Sequence, residues 1–127
     1  MALPSPPYPV NLLVAGRSVL VVGGGTVALE KVDGLLDAEA DVTVVAPEVV
    51  PELIDRPGVR VEQRRYRSGE AGDHRLVIVA TSDPAVNAEV AADAEAAGVW
   101  VNAVSYTHLR AHETKANLVC RLLLEKK

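Results

Sequence analysis

The sequence predicts an α/β domain in which helices cover both faces of a parallel sheet. Hydrophobic residues make up 49% of the 127-residue chain and aromatic residues only 3%, so valine, alanine and leucine supply most of the apolar side chains. Short continuous runs of such residues are typical of strands that are buried on both faces. Between the runs, apolar residues recur at helical spacing, which predicts that strands and helices alternate.

Five runs rich in apolar residues predict five strands. The first run ends at three consecutive glycines, and the second ends at Pro47. The third run is more polar than the others, which predicts a position near the edge of the sheet. The predicted strands span residues 17–22, 42–46, 59–66, 76–80 and 99–103.

Two longer segments predict helices. In residues 26–37 the apolar side chains fall at helical spacing. The second helix covers residues 85–97, and Ser82, Asp83 and Pro84 before it form a typical start, with a side-chain cap and a proline in the first turn. Gly98 follows, and glycine commonly ends a helix because it accepts a left-handed conformation.

The order of these elements predicts the topology. Parallel strands joined by right-handed crossovers give a Rossmann-type sheet with the strand order 3-2-1-4-5. The length suits one domain, which we place at residues 1–104.

A glycine-rich turn lies between the first predicted strand and the first predicted helix. Gly23, Gly25 and Ala28 match the G-x-G-x-x-A pattern of dinucleotide-binding turns. Gly23 permits a tight turn, Gly25 allows the backbone to approach a pyrophosphate, and Ala28 lets the helix pack close to the sheet. The free N–H groups of the helix would then face the anion. The alternative is a tight turn that binds nothing.

The residue expected to bind the adenosine ribose lies about 20 residues further on, at the end of the second strand. Glu48 is the candidate, and an exposed loop carboxylate is the alternative. The next arginine is Arg56, too far along the chain to accept a 2′-phosphate, so the sequence favours NAD over NADP.

Charge and composition exclude several classes of function. Residues 1–104 hold 8 basic and 15 acidic side chains, so a nucleic-acid partner is not expected. The basic residues Arg64, Arg65 and Arg67 are interpreted as a solvated strand edge and not as a phosphate site. No signal peptide or membrane-spanning run is evident, which predicts a cytoplasmic protein without a membrane partner.

Four motifs occur in order along the chain: GGGTVALEK at 23–31, APE at 46–48, ATSDPAVN at 80–87 and VNAV at 101–104. Together they resemble the N-terminal domain of sirohaem synthases and free-standing precorrin-2 dehydrogenases, and the resemblance covers residues 8–104. The resemblance implies the NAD-dependent oxidation of precorrin-2, a tetrapyrrole, to sirohydrochlorin. It also implies a homodimer for the full-length protein, and some members of the family insert ferrous iron as well.

The same resemblance assigns roles to individual residues. It implies that the pyrophosphate contacts Gly23, Gly25, Thr26 and Val27. It implies that the adenosine side is bordered by Pro47 and Glu48. It places Thr81, Ser82 and Asp83 in the ligand crevice and Asn102 beside the nicotinamide. For Ser82 and Asp83 the alternative is helix capping alone, and for Asn102 it is an ordinary strand-end residue.

The sequence departs from the family after Val104. The family has an aspartate at the position of Ser105, as the proposed general acid–base group, and a serine without a neighbouring base cannot replace it. The catalytic residue is therefore unknown. The blocks SYTHLRAHET and LVCRLLLEK resemble translated sequencing-library adapters, so we interpret residues 105–127 as a non-native tail.

The sequence contains features of two other functions. His108 and His112 have the spacing of zinc ligands on a helix, but no third ligand is evident and both lie in this tail, so no metal site is predicted. The stronger alternative is a dinucleotide-sensing Rossmann module without catalysis, because the fold alone does not separate an enzyme from a sensor.

Overall fold

A computed structural model describes residue 6 and residues 8–103 of the chain. Five parallel strands form one sheet in the order β3-β2-β1-β4-β5, which confirms the predicted Rossmann-type topology. The strands are β1 (Ser18–Val22), β2 (Asp41–Ala46), β3 (Val59–Gln63), β4 (Leu76–Val79) and β5 (Trp100–Ala103).

Three α-helices and one short 3-10 helix connect the strands. The helices are α1 (Thr26–Asp37), α2 (Pro51–Ile54) and α3 (Pro84–Ala97), and the 3-10 helix spans Glu70–Asp73. The two long helices lie where the sequence predicts them. In both, the connection from the preceding strand is short, as in other α/β units.

The sheet separates two apolar layers, because side chains of a strand alternate between its faces. On one face, Val19 and Val21 of β1 pack with Ala28 and Val32 of α1. On the other face, Leu20 of β1 packs with residues of α3 such as Val90 and Ala94. Helices therefore cover both faces, as predicted.

The register brings the carboxyl ends of the strands to one edge. Val22 of β1 lies level with Val45 of β2 and with Val79 of β4, and Val79 lies level with Ala103 of β5. In open parallel sheets, ligands bind in the crevice outside this edge, where neighbouring strands lead to opposite faces. Here that point lies between β1 and β4.

The structure differs from the sequence prediction at several strand ends and in two short helices, and β1, β2 and β4 each have one end a single residue away from the predicted one. β3 ends at Gln63 and not at residue 66, because the chain turns there and the Arg64 N–H bonds to the carbonyl of Glu62. β5 begins one residue later than predicted, because the Val99 N–H donates a hydrogen bond to the Ala94 carbonyl at the end of α3. The short helix α2 and the 3-10 helix were not predicted.

Position in the sheet explains the polar third strand, since β3 forms one edge, as its sequence predicts. In the part of the chain that the structure describes, no helix is both long and apolar enough to span a membrane. Across the same residues, no group of three or more histidine, cysteine or acidic side chains is placed to hold a metal ion. His108 and His112 lie outside the described residues.

Candidate functional site: the carboxyl edge of the sheet

Two glycines of the β1–α1 turn are needed for the fold itself. Gly23 has a φ of +137°, and a Cβ atom there would lie 2.5 Å from the carbonyl oxygen of Ala80. A Cβ atom on Gly24 would lie directly against the carbonyl oxygen of Glu48. Side chains at these positions would thus collide with the backbone just after β4 and just after β2.

Gly25 is different, because nothing in the fold requires a glycine there. Its backbone is extended, with φ −98° and ψ −159°, a conformation open to any residue. A Cβ atom at Gly25 would meet no protein atom within 4 Å. The open space above this residue is therefore available to a ligand that approaches the backbone.

The start of α1 complements that space. Gly25 is the N-cap residue and provides no side-chain hydrogen bond, and the first turn carries no acidic residue. Thr26 and Val27 are exposed, whereas Ala28 is buried against the sheet. The N–H groups of this first turn and the positive end of the helix dipole suit an anion such as a pyrophosphate.

The β4–α3 turn is held by its own side chains. The Asp83 carboxylate accepts a hydrogen bond from the Ala85 N–H at 3.0 Å, so it caps α3. The Thr81 hydroxyl accepts from the Asp83 N–H at 2.9 Å, and the Asn87 amide donates to the Thr81 carbonyl at 3.0 Å. Capping is therefore a real role of Asp83, although its second carboxylate oxygen remains available to the adjoining cavity.

A cavity of about 250 Å³ lies at the carboxyl ends of β1, β2 and β4, beside the first turns of α3. Four of the residues that the sequence predicts for cofactor binding line it: Gly23, Pro47, Thr81 and Asp83. Its volume is below that of typical pockets for whole cofactors, which start near 300 Å³. The cavity thus suits one part of a dinucleotide, with the remainder lying over the open surface at Gly25.

Other predicted residues lie outside this cavity. Glu48 is exposed after β2, and its carbonyl packs over Gly24. Asn102 is half-buried inside β5, level with Ile78 of β4 and one position before the end of the strand. Ser82 is exposed in the β4–α3 turn. Ser105 lies outside the described residues, so its role stays a prediction.

Sequence analysis did not assign the strand residues Val22, Val45 and Ala46 to the cavity, and it also missed four lining residues from outside these strands: Arg65, Tyr66, Val86 and Glu89. Arg65 and Tyr66 follow β3, and the chain's turn after Gln63 brings them to the cavity. The interpretation of the basic run as a solvated edge is wrong for Arg64, which is half-buried and pairs with Glu62 and Glu70 at 2.7 and 2.6 Å. The run of basic residues could have indicated a wall of the site, but the sequence alone does not show which arginine lines the cavity.

A network of polar contacts fixes the loop that carries Tyr66. The Tyr66 hydroxyl donates to the Asp93 carboxylate at 2.7 Å and accepts from the Ala71 N–H at 3.0 Å. Burial and the hydrogen bond to Asp93 both raise the pKa of Tyr66, so it stays protonated at neutral pH. Hydrogen bonds from the Gly69 N–H and from Tyr66 hold the pKa of Asp93 below its ordinary value.

Glu70 is the second anchor of this loop. It binds Arg64 through both oxygens, at 3.0 and 2.6 Å, and accepts the Arg67 N–H at 3.0 Å. Burial alone would raise the pKa of Glu70, but these hydrogen bonds outweigh it and hold the pKa below its ordinary value. The loop that carries Arg65 and Tyr66 to the cavity is therefore held by charged groups that are paired with one another and do not line the cavity themselves.

Comparison with known proteins identifies the family. Residues 10–111 match the model of the family NAD_binding_7, which is described as NAD(P)-binding. The chain belongs to this NAD(P)-binding family. The match extends beyond Val104 into the segment predicted to be non-native, so the domain boundary at residue 104 stays a prediction.

Relatives of the NAD(P)-binding domain are siroheme synthases. That of Tolumonas auensis is 51% identical over 89 residues, which cover 69% of this chain and 19% of the relative. That of Chromobacterium violaceum is 45% identical over 100 residues, covering 76% of this chain and 21% of the relative. The chain thus spans about a fifth of the length of these curated relatives.

A solved structure is also similar. SirC, a precorrin-2 dehydrogenase, superposes with a TM-score of 0.66 at 36% sequence identity. The match covers 77% of this chain and 49% of the SirC chain. The NAD(P)-binding domain therefore shares its fold with about half of the SirC chain.

Proposed function

We propose that this domain is the NAD-binding part of an enzyme that oxidises precorrin-2 to sirohydrochlorin in sirohaem biosynthesis. The proposal is supported by the similarity to siroheme synthases and to the precorrin-2 dehydrogenase SirC. The substrate would be a tetrapyrrole, and the full-length protein would be a homodimer. The whole activity belongs to a protein longer than the matched region, because the matched region is a fifth of its relatives.

One observation carries the binding part of this proposal. Gly25 has a backbone that any residue could adopt, and its missing Cβ faces open space, so folding does not explain the glycine. The N-terminus of α1 beside it has no side-chain cap. A ligand that contacts the backbone closely explains both features, and the pyrophosphate of a dinucleotide fits them best.

The remaining assignments follow from this placement. Gly23, Gly25, Thr26, Val27 and Ala28 would form the turn around the pyrophosphate. Pro47 and Glu48 would border the adenosine, Thr81 and Asp83 would line the crevice, and Asn102 would lie towards the nicotinamide. These residues bind and orient the cofactor, and none of them is proposed to transfer a proton.

The chemistry divides between the cofactor and the protein. When bound, NAD accepts the hydride that the tetrapyrrole loses. The loss of a hydride is accompanied by the loss of a proton, which needs a positioned base. Asp83 is committed to capping α3, and Ser105 stands where the family resemblance expects an aspartate. We therefore propose that this chain binds NAD but does not itself turn over precorrin-2.

The binding proposal is tested by replacing Gly25. We expect Gly25→Val to weaken NAD binding at least about tenfold, measured by isothermal titration calorimetry, because the new side chain fills the space for the pyrophosphate. Thermal unfolding should be unchanged, since a Cβ at this position meets no protein atom. Gly34→Val is the matched control, because Gly34 also has no atom within 4 Å of its Cβ position but lies far along α1.

Two results would contradict the proposal. Retained NAD affinity in Gly25→Val would remove the pyrophosphate from this turn. An equal loss of affinity in Gly34→Val would show that both variants act through the helix and not through the ligand.

A dinucleotide sensor is the second candidate, and the engagement of Asp83 in capping favours it. The two candidates separate in a turnover assay, with precorrin-2 and NAD, on the protein that the complete gene encodes. Formation of sirohydrochlorin would support the dehydrogenase. NAD binding without turnover, in a protein that also binds no tetrapyrrole, would support the sensor.

A further inference from the structure

The cavity at the carboxyl edge has a basic wall that the motifs do not assign. Arg65 follows β3 and lines the cavity together with Ala46 and Pro47, the residues at the end of β2. The end of β2 is the region that meets the adenosine ribose in Rossmann-type domains. The fold therefore brings an arginine from the neighbouring strand to the place where the cofactor's ribose is expected.

The guanidinium of Arg65 is available for a ligand. Arg64 is paired with Glu62 and Glu70, and Arg56 is paired with Asp33 at 2.9 Å. Over residue 6 and residues 8–103, by contrast, no hydrogen bond or ion pair engages the side chain of Arg65. Its carbonyl accepts a hydrogen bond from Arg64, and this contact holds the backbone while the Arg65 side chain remains exposed.

The acidic group that selects NAD is not found inside the cavity. A carboxylate at the end of β2 would bind the ribose 2′-hydroxyl and repel a 2′-phosphate. The residues that line the cavity here are Val45 and Ala46 of β2 and Pro47 just after it, and none is acidic. Two carboxylates do line it, from the α3 side. Asp83 caps α3, and Glu89 accepts a hydrogen bond from the Ser68 hydroxyl, so both are partly satisfied.

We propose that Arg65 is a cofactor-specificity residue that binds the 2′-phosphate of NADP, so that the domain accepts NADP as well as NAD. This inference rests on the proposed binding of a dinucleotide at the glycine turn. An arginine offers a planar pair of donors that matches a phosphate, and a charge-assisted contact of this kind is stronger than a neutral hydrogen bond. Spacing along the chain does not indicate Arg65, because this residue lies even further from β2 than Arg56 does. It reaches the site only because β3 pairs with β2 and Arg65 follows β3.

The test compares two cofactors and two arginine variants. Affinities of the full chain for NADP and for NAD are measured by titration calorimetry, in the wild type, in Arg65→Ala and in Arg67→Ala. We expect Arg65→Ala to weaken NADP binding about tenfold and to leave NAD binding within about twofold. Arg67→Ala removes the same charge from an exposed residue outside the cavity and should change neither affinity.

A second measurement localises the contact. Adenosine 2′,5′-bisphosphate and AMP carry only the adenosine end of the two cofactors, so the preference for the bisphosphate should be present in the wild type and lost in Arg65→Ala. Raising the salt concentration to about 0.5 M should reduce the preference, because the contact is ionic and exposed.

The outcomes separate this inference from the function on which it rests. Failure of the wild type to bind either dinucleotide would overturn the proposed function. Binding of NAD with no detectable binding of NADP, or equal effects of Arg65→Ala and Arg67→Ala, would overturn only the role of Arg65. Because Arg65 is exposed, unchanged thermal unfolding of Arg65→Ala is expected and checks that the variant is folded.

Discussion

The β1–α1 and β4–α3 turns lie side by side at the same edge of the sheet, yet they treat their helix N-termini in opposite ways. The first turn is made of three glycines, and its helix has no side-chain cap. In the second turn, the side chains of Thr81, Asp83 and Asn87 form hydrogen bonds with the backbone of the same turn. Backbone alone shapes one turn, and side chains stabilise the other.

This difference separates stability from binding at one edge of the sheet. A helix start that is already capped has fewer free donors for a ligand, whereas the uncapped start of α1 keeps them. Within the glycine turn the same separation recurs between neighbours. Gly23 and Gly24 are required by the packing of the turn, and Gly25 is the position that the packing leaves open.

The largest expected effect tests that distinction inside the glycine turn. Gly23→Ala should lower the free energy of unfolding by about 3 kcal/mol, because the new Cβ meets the Ala80 carbonyl and the φ of +137° strains any other residue. Gly25→Ala should change the unfolding free energy by less than about 0.5 kcal/mol. Urea denaturation of both variants measures the difference, and equal losses would refute the division of roles.

The fold was predicted correctly from the sequence where a segment is long enough to show a clear pattern of apolar residues. β1, β2 and β4 are continuous apolar runs buried on both faces, and α1 and α3 span several turns, so their periodicity identifies them. The helix α2 and the 3-10 helix have four residues each, which is too short for a periodic pattern. β3 ends where the Arg64 N–H turns back to the Glu62 carbonyl, a contact that only the folded chain creates.

The candidate site was predicted less completely for a related reason. The glycine turn and the ATSDP segment are local motifs, so Gly23, Gly25 and Asp83 could be named from the sequence alone. Arg65 and Tyr66 reach the cavity from the edge strand, and no local pattern marks them. The chain position of Glu48 satisfied the expected spacing, but spacing does not show whether a side chain enters the cavity.

A smaller effect is expected at the capped turn. Asp83→Ala should lower the free energy of unfolding by about 1 kcal/mol, because it removes the acceptor for the Ala85 N–H. Asp83→Asn retains a capping oxygen, so its free energy of unfolding should fall by only a few tenths of the loss expected for Asp83→Ala. Thermal unfolding of the two variants measures the cap. Equal losses would show that the negative charge, and not the hydrogen bond, stabilises α3.

The smallest effect concerns the loop that packs on α3, which should be more sensitive to acid than the glycine turn. The pKa of Glu70 lies below its ordinary value in the folded protein. Its contribution to stability is therefore complete above the unfolded pKa, near 4, and is lost as the pH falls through the lower folded value. Arg64 stays charged over this range, because its hydrogen bond to Glu70 raises its already high pKa.

The matched variant is Glu70→Gln, which has nearly the shape of a protonated glutamate. At neutral pH we expect Glu70→Gln to be less stable than the wild type by roughly 0.5 to 1 kcal/mol, as for a partly exposed ion pair. Once the pH has fallen below the folded pKa of Glu70, the two proteins should unfold at nearly the same denaturant concentration, since Glu70 is then protonated. His74, whose pKa burial lowers, also adds acid sensitivity. The Glu70 carboxylate counteracts that lowering, and this effect is absent from Glu70→Gln and is lost from the wild type once Glu70 is protonated. A difference that persists unchanged in acid would show that Glu70 stabilises the loop by packing and not by its charge.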